Sequence, residues 1–187
     1  MKVAIIGLPA SGKSTLCSIM ASMFRCLHVN VNVMLTRHWA EFGRFRANRI
    51  YTLVRKAVKN SDRFLLDGFP NSIVQYKSLL SLSFKLDAVV YIHTPDVNEL
   101  VRRLHDRDDD GYDSKLLFSS NVNTFYNHTT DLIKYLKKEG KLETVQGGFS
   151  TSRVLGDTVL RLSNRGLLMP DEYVYRVTRR MGEEKDG

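Results

Sequence analysis

The 187-residue chain has little cysteine: Cys17 and Cys26 alone, without the Cys-x-x-Cys spacing of redox or zinc sites. Two free thiols and a reducing compartment are therefore expected, with no disulfide and no metal–thiolate site. No run of eighteen apolar residues occurs, so no membrane span is expected. Met1-Lys2-Val3 leads straight into an apolar stretch and leaves no room for a leader peptide. The expected location is the cytoplasm, with the nucleus as the alternative. No internal repeat is visible. The five histidines, His28, His38, His93, His105 and His128, form no metal-spaced pair and are expected to be packing or surface residues. The net charge is +8, yet lysine and arginine are scattered, apart from Arg176, Arg179 and Arg180 near the end. Without a basic stripe interleaved with aromatics, nucleic acid is not an expected partner. A positive balance equally suits a protein that holds polyphosphates.

What the chain does carry stands at its start. Val3-Ala4-Ile5-Ile6 runs into Gly7-Leu8-Pro9-Ala10-Ser11-Gly12-Lys13-Ser14-Thr15, two glycines with four residues between them, then Lys and Ser. This is the full P-loop pattern. A buried strand delivers the chain to a loop whose glycines let several N–H groups turn inward onto phosphates. Lys13 adds positive charge toward the outer phosphates, and Ser14 offers a hydroxyl to Mg²⁺. The helix that follows sets its positive end against the same phosphates. ATP with Mg²⁺ is the expected ligand, with Gly7, Pro9, Ala10, Ser11, Gly12, Lys13, Ser14 and Thr15 as its cradle.

The rest of the chain alternates strands with helices. Strands are expected at 3–6, from Leu27 to Val33, at Phe64–Asp67, at Ala88–Ile92 and at Leu142–Val145. Helices are expected around Leu16–Met23 and, in two pieces broken near Gly43, over 34–59. Asn71 is expected to cap the next helix, and another begins at Pro95-Asp96. A polar loop over 107–114 precedes a long helix that carries Phe118 to Leu136 and is closed by Gly140. A last helix carries Val154 to Leu162, after the Gly147-Gly148 turn. The pattern predicts an α/β three-layer sandwich, a five-stranded parallel sheet with helices on both faces. The 43% hydrophobic content supports one compact domain, 1–164, followed by an extension over 165–187 whose end, 182–187, is expected to be disordered.

A second constellation narrows the chemistry. Leu65-Leu66-Asp67-Gly68-Phe69-Pro70 places a carboxylate at the carboxyl end of a strand, where Mg²⁺ and its waters would be held, and Gln75 follows seven residues beyond Gly68. Together with the P-loop, this string resembles the adenylate kinase family of nucleoside monophosphate kinases, whose motif reads Asp-Gly-Phe-Pro-Arg with a Gln at the same spacing. The resemblance covers most of residues 2–164. It implies a short acceptor-side helical insertion over about 30–60 and a short lid over 106–116. Gln75 would read the acceptor base, although surface solvation explains a lone Gln as simply. Arg37 stands close to an arginine that touches the acceptor phosphate. Gly68, Phe69 and Asn71 complete the acceptor side. Arg103 and Arg107 match a pair that stacks on the donor adenine and touches donor phosphates, and a solvated helix face accounts for them equally well. Gly148 falls where backbone meets the donor adenine. Trp39, Phe42 and Phe45 are expected to pack the acceptor-side helices, or to stack a base.

The departures from the family pattern concern charge. Asn71 stands where the motif has Arg, and Asn121 where a later lid arginine is expected; Asp109-Asp110 or Asp113 are remnants of the lid motif. Ala10 and Ser14 replace two loop glycines. One transition-state arginine is worth roughly 10³–10⁵ in rate, and an asparagine carries no charge. Lys115 or Arg37 would have to compensate. No Asn-Lys-x-Asp guanine signature is present, which disfavours a GTPase. The reading is a kinase moving the γ-phosphoryl of ATP–Mg²⁺ to AMP or a related monophosphate, as a monomer. Lys13, Asp67 and Arg107 are its catalytic residues, and Ser14 and Asp67 its metal ligands. The alternatives are a kinase for a non-phosphorylated acceptor such as a nucleoside, and a nucleotide-binding protein without activity on a degenerate kinase scaffold.

Overall fold

The computed structural model describes residues 1–42, 49–105 and 113–168. Five strands form one parallel sheet: β1 (Lys2–Gly7), β2 (Leu27–Asn30), β3 (Phe64–Asp67), β4 (Ala88–His93) and β5 (Leu142–Gln146). Their order across the sheet is β2-β3-β1-β4-β5, so the first strand made is the central one. The helices are α1 (Lys13–Phe24), α2 (Val31–Phe42), α3 (Arg49–Val58), α4 (Ile73–Ser81), α5 (Val97–His105), α6 (Asp113–Lys138) and α7 (Thr151–Asn164). This is the α/β three-layer fold expected of a P-loop kinase.

The two-residue period of β1 sorts its side chains between two cores. Val3 and Ile5 join Leu65 and Val90 under α1 and α7, where Leu16, Met20, Phe24, Val159 and Leu162 are buried. Ala4 and Ile6 join Leu66 and Val89 on the other face, under α3, α4 and α6. A strand buried on both sides reads as an unbroken apolar run, which is why Val3 to Ile6 shows no alternation. After α7 the chain stays on the body as far as Leu168, which is buried in the α1/α7 core. None of the helices is long and apolar enough to cross a membrane, among the described residues.

Two local expectations are corrected. The strand expected from Leu27 to Val33 ends at Asn30, and Val31 already begins α2. The Asn30 side chain accepts the Val33 N–H at 3.0 Å, a cap that outweighs the strand preference of the two valines. The cap of α4 is Ser72, whose hydroxyl accepts from the Gln75 N–H at 3.2 Å; Asn71 is used otherwise. The break expected near Gly43, most of the expected lid over 106–116 and the disordered end fall outside the described residues.

Candidate active site

The P-loop and the Gly68–Gln75 turn lie at the carboxyl ends of adjacent strands, because β1 and β3 pair in parallel with Ile5 beside Asp67. That edge is where a doubly wound sheet opens a crevice. The P-loop curls as its sequence requires. Gly12 caps α1 with φ 91°, a left-handed conformation that costs glycine nothing. Ala10 also has φ 59°, so the glycine of the family pattern has been replaced at a position of real backbone strain. Ser11 Oγ is buried without a partner among the described residues.

Lys13 turns back across the loop and donates to the Leu8 carbonyl at 2.6 Å. Burial of its amine pulls the pKa down to about 8, against Asp67 and Cys17, which raise it. Asp67 is 2% exposed and accepts from Asn30 Nδ2 at 2.8 Å; its Oδ2 lies 3.2 Å from His28 Nε2. Asn30 Nδ2 also reaches Ser14 Oγ at 3.4 Å, so one amide ties the loop serine to the strand carboxylate. A hydroxyl and a carboxylate are the hard oxygen donors that suit Mg²⁺. Ser14 and Asp67 fit that ion as the sequence implied. Cys17 Sγ, His28 and Asp67 also bring their ligand atoms within 4.8 Å of one another. Burial, then Asp67, pushes the Cys17 thiol well above its ordinary range, so it stays protonated and acts as apolar filling. Both cysteines are free, as expected.

A cavity of about 580 Å³ joins the two halves. Gly7, Pro9 and Lys13 line one end, and Gly68, Asn71 and Gln75 the other. Asn71 is spent on shape. Its Nδ2 lies within hydrogen-bond reach of the Gly68 carbonyl, its N–H donates to Gln75 Oε1 at 2.7 Å, and its carbonyl accepts from Thr129 Oγ1 at 2.8 Å. Phe69 is buried under the turn, against Tyr51 with ring centroids 6.0 Å apart. The remaining wall is one face of α6, where Thr124, Phe125, His128 and Thr129 recur at helical spacing.

Other expected site residues lie apart. Arg37 lines a separate cavity with Leu27, Val33 and Ala57. Arg103 donates to Glu99 on its own helix at 2.9 Å. Gly148 has φ 83° and open space around it. The glycine that packing demands is Gly147, where an added Cβ would lie 2.3 Å from Thr94 Oγ1. Arg107 and the side chains of Trp39, Phe42, Phe45, Lys115 and Asn121 fall outside the described residues. Sequence reasoning missed Asn30, Thr129 and His128 as site residues. Asn30 was legible as a cap signal; the other two are set by how α6 packs.

No family model matches the chain. Individual proteins do. It is 27% identical over 187 residues to an adenylate kinase of Azobacteroides pseudotrichonymphae, covering 88% of this chain and 98% of that one. It is 26% identical over 183 residues to adenylate kinase 2 of a Nostoc species, covering 87% and 98%. It is 26% identical over 175 residues to UMP-CMP kinase 1 of Oryza sativa, covering 83% and 71%.

Proposed function

We propose that this adenylate kinase-like protein moves the γ-phosphoryl group of ATP to AMP or a related nucleoside monophosphate. The observation that carries the reading is the shared cavity: the P-loop with Lys13 at one end, and the Gly68–Gln75 turn at the other. A kinase must hold donor and acceptor phosphates within one water-poor space, because phosphoryl transfer is mostly positioning and charge neutralisation.

In this reading the backbone N–H groups of the P-loop bind the donor phosphates. Lys13 exchanges its bond to the Leu8 carbonyl for the moving phosphoryl group. Ser14 and Asp67 would hold Mg²⁺, which would supply charge neutralisation for the transferred phosphoryl group. Asn30 and His28 fix the Asp67 carboxylate. Gln75 meets the acceptor base; AMP is preferred because an amide both donates and accepts. The acceptor oxygen is already anionic, so it attacks the γ-phosphorus while ADP leaves, and no general base is needed. Arg107 is assigned to the transition state by resemblance.

The uncharged Asn71 keeps a second reading open, a kinase for a nucleoside or other neutral hydroxyl acceptor. One assay separates the two. ATP turnover is measured against a panel of nucleoside monophosphates and free nucleosides, with Lys13→Ala as the control. Turnover with AMP, CMP or UMP that disappears in Lys13→Ala supports the proposal. Turnover with nucleosides alone replaces it with the second reading. ATP binding without any transfer identifies a nucleotide-binding protein that is not a kinase.

A further inference from the structure

We propose that His128 binds the phosphate of the acceptor nucleotide, supplying the positive charge that Asn71 does not; the assignment rests on the monophosphate kinase reading. A nucleoside monophosphate brings close to two negative charges near neutral pH. A site for it needs a cation or several directed donors. Of the described residues lining the cavity, Lys13 and His128 are the titratable ones. Lys13 belongs to the donor end, held in the P-loop on the Leu8 carbonyl. Asn71, at the acceptor turn, has its side-chain amide directed to Gly68 and its N–H to Gln75.

The packing of α6 brings His128 to that turn. Thr129 Oγ1 donates to the Asn71 carbonyl at 2.8 Å and pins the helix against it. His128 is the preceding residue, one helical turn beyond Thr124 on the same wall, and it is exposed. Its imidazole therefore stands on the wall of the same cavity that the P-loop lines.

Among the described residues, several charged groups on the elements around it have other partners, while Lys137 and Lys138 stand in the last turn of α6. On α6, Asp131 pairs with Lys134 at 3.7 Å. On α4, Lys77 lies 5.5 Å over the Tyr135 ring. On α5, Glu99 pairs with Arg102 and Arg103. On β5, Glu143 pairs with Arg161 and Arg165. Lys13 from α1 and Asp67 from β3 are bonded within the donor half. An anion in the cavity is therefore the natural counter-charge for the imidazole.

Such a clamp has a pH signature that an arginine lacks. A guanidinium keeps its charge at every working pH, whereas an imidazole does not. The monophosphate itself gains its second charge at about pH 6, so the contribution of His128 is read as the difference between wild type and His128→Arg at each pH. The test is calorimetric titration of AMP, CMP and UMP into wild type, His128→Gln and His128→Arg at pH 6, 7 and 8. Melting temperature and ATP affinity are measured on the same samples to establish folding. His128→Gln is expected to weaken monophosphate binding about 10- to 100-fold at low pH, the loss of one charge-assisted hydrogen bond. His128→Arg is expected to match the wild-type affinity at pH 6 and to bind more tightly than wild type at pH 8. If His128→Gln binds as wild type does with the same pH profile, the assignment is wrong and the kinase reading stands. If wild type binds ATP but no monophosphate, both fall.

Discussion

Thr129 and Thr158 make a matched pair for testing how α6 is joined to the acceptor turn. Both are buried, at 1% and 0% exposure, and both hydroxyls donate to a backbone carbonyl, at 2.8 and 2.7 Å. They differ in the acceptor. Thr158 reaches the Val154 carbonyl one turn back in its own helix, which the helical N–H of residue 158 already satisfies. Thr129 reaches Asn71, which lies outside any helix or strand. Valine matches threonine in shape and removes the hydroxyl. Thr129→Val leaves the part-buried Asn71 carbonyl without this donor and removes a hydrogen bond made by a buried hydroxyl, a cost of up to about 1–3 kcal/mol. For a domain of this size each kcal/mol lowers the melting temperature by about 2–4 °C, so a fall of about 2–12 °C is expected. Thr158→Val should cost less than about 1 kcal/mol, because back-bonding inside a helix contributes little. Calorimetric melting of both variants decides. Equal stability, or a larger loss at Thr158, would refute the argument that the Asn71 carbonyl depends on α6. In the same Thr129→Val variant the KM for the monophosphate is expected to rise while that for ATP stays, because the acceptor turn has lost its tether.

Three further outcomes follow from the geometry. Gly147→Ala forces a Cβ to 2.3 Å from Thr94 Oγ1 and 3.2 Å from the His93 carbonyl; overpacking of this kind costs about 1–3 kcal/mol, seen as a lower melting temperature. Gly148→Ala meets nothing and carries only its left-handed backbone penalty. Lys13 titrates at about 8 in the free protein; nearby phosphates favour its charged form, so ATP binding without divalent metal should take up protons at pH 8 and weaken above it. Calorimetry in two buffers of different ionisation heat measures the uptake, and identical heats would count against it. Alkylation of native protein should modify half-buried Cys26 before Cys17, whose thiol is both enclosed and held protonated; peptide mass analysis reads the order.

The P-loop, β3 with Asp67 and the parallel sheet were legible because each depends on local pattern: glycine spacing, an apolar run, a turn signal. The end of β2 was not, because Val31 and Val33 carry strand preference while a single Asn30 cap starts the helix. Asn71 reads as a helix cap by composition, yet Ser72 takes that role and frees Asn71 to shape the turn. His128 had no sequence signal at all. Its residue type fits a solvated helix face, and the packing of α6, with its bond from Thr129 to Asn71, is what brings that face to the cavity. Arg37 shows the opposite case: its position along the chain suggested the acceptor side, and in the structure it lines a second cavity together with His28 and Asn30.

The order of the strands bears on how the protein emerges from the ribosome. β1 leaves first, but its neighbours are residues 64–67 and 88–93. The strand that launches the P-loop has no partner until residue 67 and lacks its second until residue 93 of the 187. Contacts that span such sequence distances form late and slowly. Until Asp67 is out, Val3 to Ile6 is an exposed apolar strand with two open edges, and until His93 follows it keeps one, the kind of segment on which nascent chains associate. The nucleotide-binding loop is thus encoded first and assembled only when β4 arrives.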